Sequence, residues 1–328
     1  MRALLARLRG KAVLIPGNES SARRSWAWMA LVLPVLLLVT QLAACGGSST
    51  PAASGGDTIS VVAAENFWGS IAAQVGGYHV QVTNIITSPA TDPHSYEPTS
   101  GDARAFAVAQ YAIVNGAGYD AWAQKALDTN PGSGRKELDV GKLAGRKEGD
   151  NPHMWYSPAI VTQVANQITA DLKSIDAADA TYFDQQNAAF KTQALKGYSD
   201  LIAAIKAKYT GTPVGATESI FEDLAPALGL NLVTPPSLMK AIAEGEDLTA
   251  EDKATMGSQI TGRQIKVLVF NSQNTSSDVN GFVSQARAGG IPLVAITETL
   301  SPAGASFQAW QVAQLQALQS ALAQATGK

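Results

Sequence analysis

Only three histidines occur in the 328 residues, and two of them share a setting. His94 stands in T-D-P-H-S-Y-E-P-T (91–99) and His153 in N-P-H-M-W (151–155). Each follows a proline and comes just before an aromatic residue. Proline fixes its own φ and biases the residue ahead of it to extended geometry, which suits a side chain that must point at a fixed place. Two such imidazoles read as ligands of one metal ion. A closed site needs about four protein ligands. The second half of the chain has no histidine, so it must supply carboxylates or carbonyls. Glu218 in G-A-T-E-S-I-F and Glu298 in A-I-T-E-T-L-S each stand directly after an apolar run. The candidate set is therefore His94, His153, Glu218 and Glu298. Its two carboxylates would neutralise a divalent cation and limit the cost of burying it.

The elements that must position these residues alternate along the chain. Strands are expected at 59–64 (ISVVAA), 80–86, 111–115 and 137–140. Helices are expected at 65–75, at 102–110 behind a Gly101-Asp102 cap, at 121–127, and from His153 to about 174. His94 then falls on the loop after a strand's carboxyl end, where open α/β sheets bind ligands. Residues 177–209 keep helical spacing without a proline and would form a strut on the order of 50 Å long. After it come strands at 213–217, 230–233, 265–270 and 292–296, with helices at 219–228, 249–261, 276–288 and 306–325. Strands alternating with helices argue for parallel sheets. The expected fold is α/β, with two lobes on parallel central sheets, one long linking helix, and the metal site in the cleft between the lobes. The boundaries are 58–176 for the first lobe, 177–209 for the linking helix and 210–328 for the second lobe. Phe67, Trp68, Tyr96 and Trp155 read as aromatics lining the cleft, with ordinary core the alternative. Trp122 and Trp310 read as core. His79, after Gly76-Gly77-Tyr78, reads as a surface turn residue, and no repeat is visible at the residue level.

Composition narrows the function. Charged residues make up 16% and hydrophobic residues 46% of the chain. Arg23-Arg24, an apolar run to Ala44, then Leu42-Ala43-Ala44-Cys45-Gly46-Gly47 describe an export signal of residues 1–44. Leu-Ala-Ala-Cys resembles the bacterial lipobox, with Cys45 as the lipidated N-terminus and residues 45–57 as a flexible tether. A single transmembrane helix is the alternative. Beyond residue 44 there are 18 basic and 26 acidic residues, a net charge of about −8. Nothing there favours nucleic acid, which selects a basic face. Cys45 is the only cysteine, which excludes an intramolecular disulfide and a thiolate zinc site.

D-P-H-S-Y-E-P-T at 92–99, A-I-V-N-G-A-G-Y-D-A-W at 112–122 and N-P-H-M-W at 151–155 resemble the solute-binding lipoproteins of bacterial zinc and manganese ABC transporters. The resemblance runs from Ile59 to Leu322. Its first- and second-ligand motifs fall on His94 and His153. Its third ligand, a histidine or glutamate eleven residues before a Gly-Leu pair, falls on Glu218 ahead of Gly229-Leu230. Its fourth, usually aspartate, falls on Glu298, one methylene longer. Asn151 stands where many members have aspartate, and the His-rich mobile loop of many zinc-specific members is absent from 128–150. The resemblance implies a monomeric, lipid-anchored binding protein on the outer face of the cytoplasmic membrane. Such a protein captures a divalent ion, zinc in preference to manganese, and delivers it to a membrane permease driven by a separate ATPase subunit. It would not be an enzyme. The alternatives are a metallohydrolase, with Glu298 as general base beside the other three ligands, and a surface adhesin with a structural metal.

Overall fold

The computed structural model describes residues 58–91, 93 and 96–328. The signal segment, Cys45, the tether and His94 lie outside them. The first sheet is built from β1 (Ile59–Glu65), β2 (Val80–Ile86), β3 (Tyr111–Val114) and β4 (Lys136–Asp139). Its helices are α1 (Asn66–Gly76), α2 (Ser100–Val108), α3 (Ala121–Thr129), α4 (Val140–Leu143) and α5 (Pro158–Ile175). A linking run follows, α6 (Ala180–Ala189) and α7 (Lys196–Tyr209). The second sheet contains β5 (Pro213–Ala216), β6 (Asn231–Leu232), β7 (Val267–Asn271) and β8 (Leu293–Ile296). Its helices are α8 (Leu224–Ala227), α9 (Pro236–Ala243), α10 (Ala250–Thr261), α11 (Ser277–Ala288) and α12 (Phe307–Thr326).

Both sheets are wholly parallel and share one topology, β2-β1-β3-β4 in the first and β6-β5-β7-β8 in the second. The chain therefore repeats at the level of strand order without repeating in sequence. β1 and β3 are buried nearly throughout, as strands covered on both faces must be. One face of the first sheet packs Val62, Ile86, Phe106 and Trp122 into a small cluster. The other face joins a continuous core that also contains Val214, Leu268 and Trp310 of the second lobe. Phe67 of α1 carries that core across, stacked on Trp155 at 4.2 Å and near-parallel to Trp310 at 6.5 Å.

The expected strut differs in one respect. It starts at Ala180, and a π-helical turn at Phe190–Ala194 separates α6 from α7. The Leu195 N–H donates to Phe190 O at 2.9 Å, a five-residue step. The wider turn puts Phe190 and Leu195 both in the core, which a regular 3.6-residue pitch would not. His153 does not open a long helix. It precedes a short 3-10 turn, Met154–Tyr156, and α5 begins at Pro158 behind a Ser157 cap.

Candidate metal centre

Each of the three described candidates lies beyond the carboxyl end of a strand. His153 lies beyond β4 and α4, Glu218 two residues after β5, and Glu298 two residues after β8. The imidazole and both carboxylates are buried, at 1%, 1% and 8% exposure. Tyr119 and Ser219 draw the three together. Ser219 follows Glu218 directly, and its Oγ lies 3.3 Å from His153 Nδ1. The Tyr119 ring sits 6.2 Å from that of His153, and its hydroxyl donates to Glu298 Oε2 at 2.8 Å. Glu218 and Glu298 share the wall of a cleft cavity of about 920 Å³ with Pro89, Thr91, Gln273 and Asn274. The loop that carries His94 is anchored on either side of it. Trp122 Nε1 donates to Pro93 O at 3.2 Å, and Tyr96 donates to Asp102 Oδ2 at 2.8 Å. Asp102 closes a capping box with Thr99 at the start of α2. Burial would raise the Asp102 carboxyl, but the hydrogen bonds from Thr99 and Tyr96 hold it below its ordinary value.

Asn151 sets the chemistry of His153. Its Nδ2 faces two acceptors, Ser219 O at 2.9 Å and Glu222 Oε2 at 3.1 Å, so its Oδ1 faces the imidazole. His153 Nδ1 lies 2.8 Å from that Oδ1. Nδ1 therefore carries the proton and Nε2 the lone pair, the tautomer that lets the ring ligate a metal through Nε2. Arg146 fixes the same loop, donating to Asn151 O and to Asp223 Oδ1 at 2.7 Å. Burial, followed by the neighbouring Asp223, pushes the Glu222 carboxyl up.

The end of β7 and the loop that follows it, N-S-Q-N at 271–274, hold both glutamates. Asn271 Nδ2 donates to Glu298 Oε1 at 2.6 Å, and Asn274 Nδ2 donates to Glu218 Oε2 at 3.3 Å. Gln273 accepts the backbone N–H of Glu298 and donates across the cleft to Pro89 O. This loop is not among the site residues expected from the sequence. Its signal was a run of four polar residues directly after the apolar V-L-V-F of β7.

Three of the four predicted cleft aromatics are core instead. Phe67, Trp68 and Trp155 are wholly buried, because the inner face of α1 packs against the 3-10 turn that follows His153. Trp155 still touches the site from behind, 5.2 Å from the His153 ring and 5.1 Å from Tyr119. Trp68 Nε1 donates to Asn115 Oδ1 at 3.0 Å, and Asn115 Nδ2 donates to Pro152 O at 3.0 Å, which pins the residue before His153. Tyr96 is half-buried against Trp122, a brace for its loop. Trp122 and Trp310 are core, as expected. Beneath these loops lies a buried carboxyl pair, Glu65 at the end of β1 and Asp120 ahead of α3. Asp120 accepts the N–H groups of Asn115 and Gly116 at 2.7 and 2.8 Å, yet burial still pushes it up to about 6. Burial, and then the charge of Asp120, push Glu65 well above the carboxylate range.

A family model for the periplasmic zinc-uptake complex component A matches residues 61–321. The high-affinity zinc uptake system protein ZnuA of Bacillus subtilis is 23% identical over 285 residues, which cover 81% of this chain and 86% of that protein. The manganese-binding lipoprotein MntA of Halalkalibacterium halodurans is 25% identical over 151 residues, 43% of this chain and 48% of the relative. Among solved structures, the Mn-bound periplasmic metal binding protein of Candidatus Liberibacter asiaticus superposes with a TM-score of 0.66 at 17% identity, covering 81% of this chain and all of that one. A mutant of the laminin-binding adhesin Lmb of Streptococcus agalactiae gives 0.65 at 17% identity over 80% of this chain and 99% of that one. These likenesses establish the two-lobed fold. With most of the described chain inside the family match, the protein belongs to the family of periplasmic zinc-uptake component A proteins, metal-binding components of ABC importers and not enzymes.

Proposed function

We propose that this chain captures one divalent transition-metal ion in the cleft, through His94, His153, Glu218 and Glu298, and delivers it to an ABC permease. The observation that carries the reading is the preparation of the three described ligands. His153 is held in the ligating tautomer by Asn151, and each glutamate has a polar partner within residues 271–274. His94 is assigned from its motif. Two imidazoles and two carboxylates give four donors and two negative charges, which suit a four-coordinate divalent ion. Zinc is the favoured cargo over manganese. Manganese prefers six oxygen-rich positions, and mixed nitrogen and oxygen sites bind zinc more tightly. The names of the relatives include both metals, so they do not decide between the two.

The proposal extends to the rest of the chain. Residues 1–44 form the signal, Cys45 the lipid anchor and 45–57 the tether. The lobes are 58–176 and 210–328, with 177–209 between them. The protein acts as a monomer at the outer face of the cytoplasmic membrane, and a separate subunit supplies ATP hydrolysis. The test is metal analysis of the chain, stripped and then dialysed against equimolar zinc and manganese. Retention of zinc in the cleft supports the assignment, and retention of manganese against zinc's general advantage would overturn it.

A further inference from the structure

The third histidine is not a surface turn residue. His79 ends the 3-10 turn Gly77–His79 between α1 and β2, and its side chain is 10% exposed. The rings of Tyr78, Tyr182 and Phe183 surround the imidazole at 4.2, 4.6 and 5.6 Å. Its Nδ1 lies 2.9 Å from Asp179 Oδ2, while its Nε2 is buried with no hydrogen-bond partner. Asp176 is the third member, and one ligand atom from each of the three residues lies within 4.8 Å of the others.

We propose that His79, Asp176 and Asp179 form a second divalent-cation site, separate from the cleft, where the first lobe passes into the linking helix. The spacing fits. Two donors bound about 2.1 Å from one ion at a right angle lie about 3 Å apart, close to the separation of Nδ1 and Oδ2. The charge fits as well. Two carboxylates and a neutral imidazole carry −2, and no lysine or arginine among the described residues pairs with either aspartate. Asp176 occupies the C-cap of α5, where the helix end is itself partially negative, so a cation offsets both. Asp179 occupies the N-cap of α6, yet its side chain caps no backbone N–H and goes to His79 instead. An aspartate that caps stabilises the start of a helix, so another interaction has displaced a favourable local one.

The buried Nε2 points the same way. With the proton on Nδ1, a bare Nε2 lone pair faces apolar rings. With a metal ion on Nδ1, the proton moves to Nε2, and an N–H edge among aromatic faces is a favourable contact. The remaining coordination positions open to solvent on the side of the half-buried aspartates, so water completes the shell. One nitrogen and two oxygens suit a first-row divalent ion, bound more weakly than at a four-ligand buried site.

The test titrates zinc alone into the full chain carrying His153→Ala, which disables the cleft, and into the same chain with Asp176→Asn or His79→Gln added. The expected result is one equivalent of zinc in the His153→Ala chain, with affinity reduced at least tenfold by either added change. Asp176→Asn alters a half-buried side chain and keeps the comparison interpretable if His79→Gln impairs folding. Asp176→Asn alone leaves the cleft's zinc affinity unchanged, so failure here is distinct from failure of the cleft assignment. No zinc bound by the His153→Ala chain, or zinc binding indifferent to both added changes, would overturn the proposal.

Discussion

The Tyr119 hydroxyl, on the loop after β3 of the first lobe, donates to Glu298 Oε2, on the loop after β8 of the second, at 2.8 Å. With Asn271 on the other oxygen, the carboxylate is fixed from both lobes. A glutamate carries one more rotatable bond than an aspartate, and these two donors remove that freedom before any ion arrives.

Tyr119→Phe is therefore expected to weaken metal affinity by about tenfold, in the range for loss of a partner that orients a ligand. The thermal midpoint of the metal-free protein should change little, because the ring and its contacts remain. Calorimetric titration with zinc, paired with thermal unfolding, measures both. Unchanged affinity would mean that the hydroxyl does not orient the ligand.

Asn151 is an amide for a reason visible in its partners. Asn151→Asp would keep the acceptor for His153 but lose both donations, to Ser219 O and to Glu222 Oε2, and would set two carboxylates against each other. We expect a loss of about 1–3 kcal/mol of stability by urea unfolding. Adding Glu222→Gln should restore most of it by replacing repulsion with a donor. Failure of that rescue would contradict the proposed role of the amide.

The Glu65–Asp120 pair makes stability depend on pH. Both carboxyls are raised on folding, Asp120 to about 6 and Glu65 well beyond the carboxylate range. A raised group favours the folded state fully below its unfolded value and loses that contribution as pH rises through the folded value. Stability from this pair is thus greatest below about pH 4 and declines through 6 and above. Glu65→Gln, which mimics the protonated form, should flatten the decline in unfolding midpoint between pH 5 and about 8. A variant with the same slope as the parent would remove the pair as its source.

Much of this was legible in the sequence, for physical reasons. The buried placement of Glu218 and Glu298 at a sheet's carboxyl edge could be read because each acid directly follows an apolar strand, and His153 stood out because a proline and an aromatic frame it. The two lobes followed from alternating strands and helices. Other features depend on contacts that no local pattern encodes. Phe67 and Trp68 are aromatic on an amphipathic helix whether they meet a cleft or a core, and only the 3-10 turn behind His153 decides. His79 became an inner residue because α6 places Tyr182, Phe183 and Asp179 against it. Gln273 reaches Pro89 across 184 positions of sequence. The common strand order of the two lobes is a repeat of topology, which residue identities no longer carry.

The central claim is that the cleft residues hold the cargo. Its most direct test is the zinc affinity of the full chain beside that of His94→Ala, His153→Ala and Glu298→Ala, each checked for native unfolding behaviour. One tight equivalent is expected in the parent, and its loss in all three variants while the fold persists. Tight binding retained in both histidine variants would contradict it.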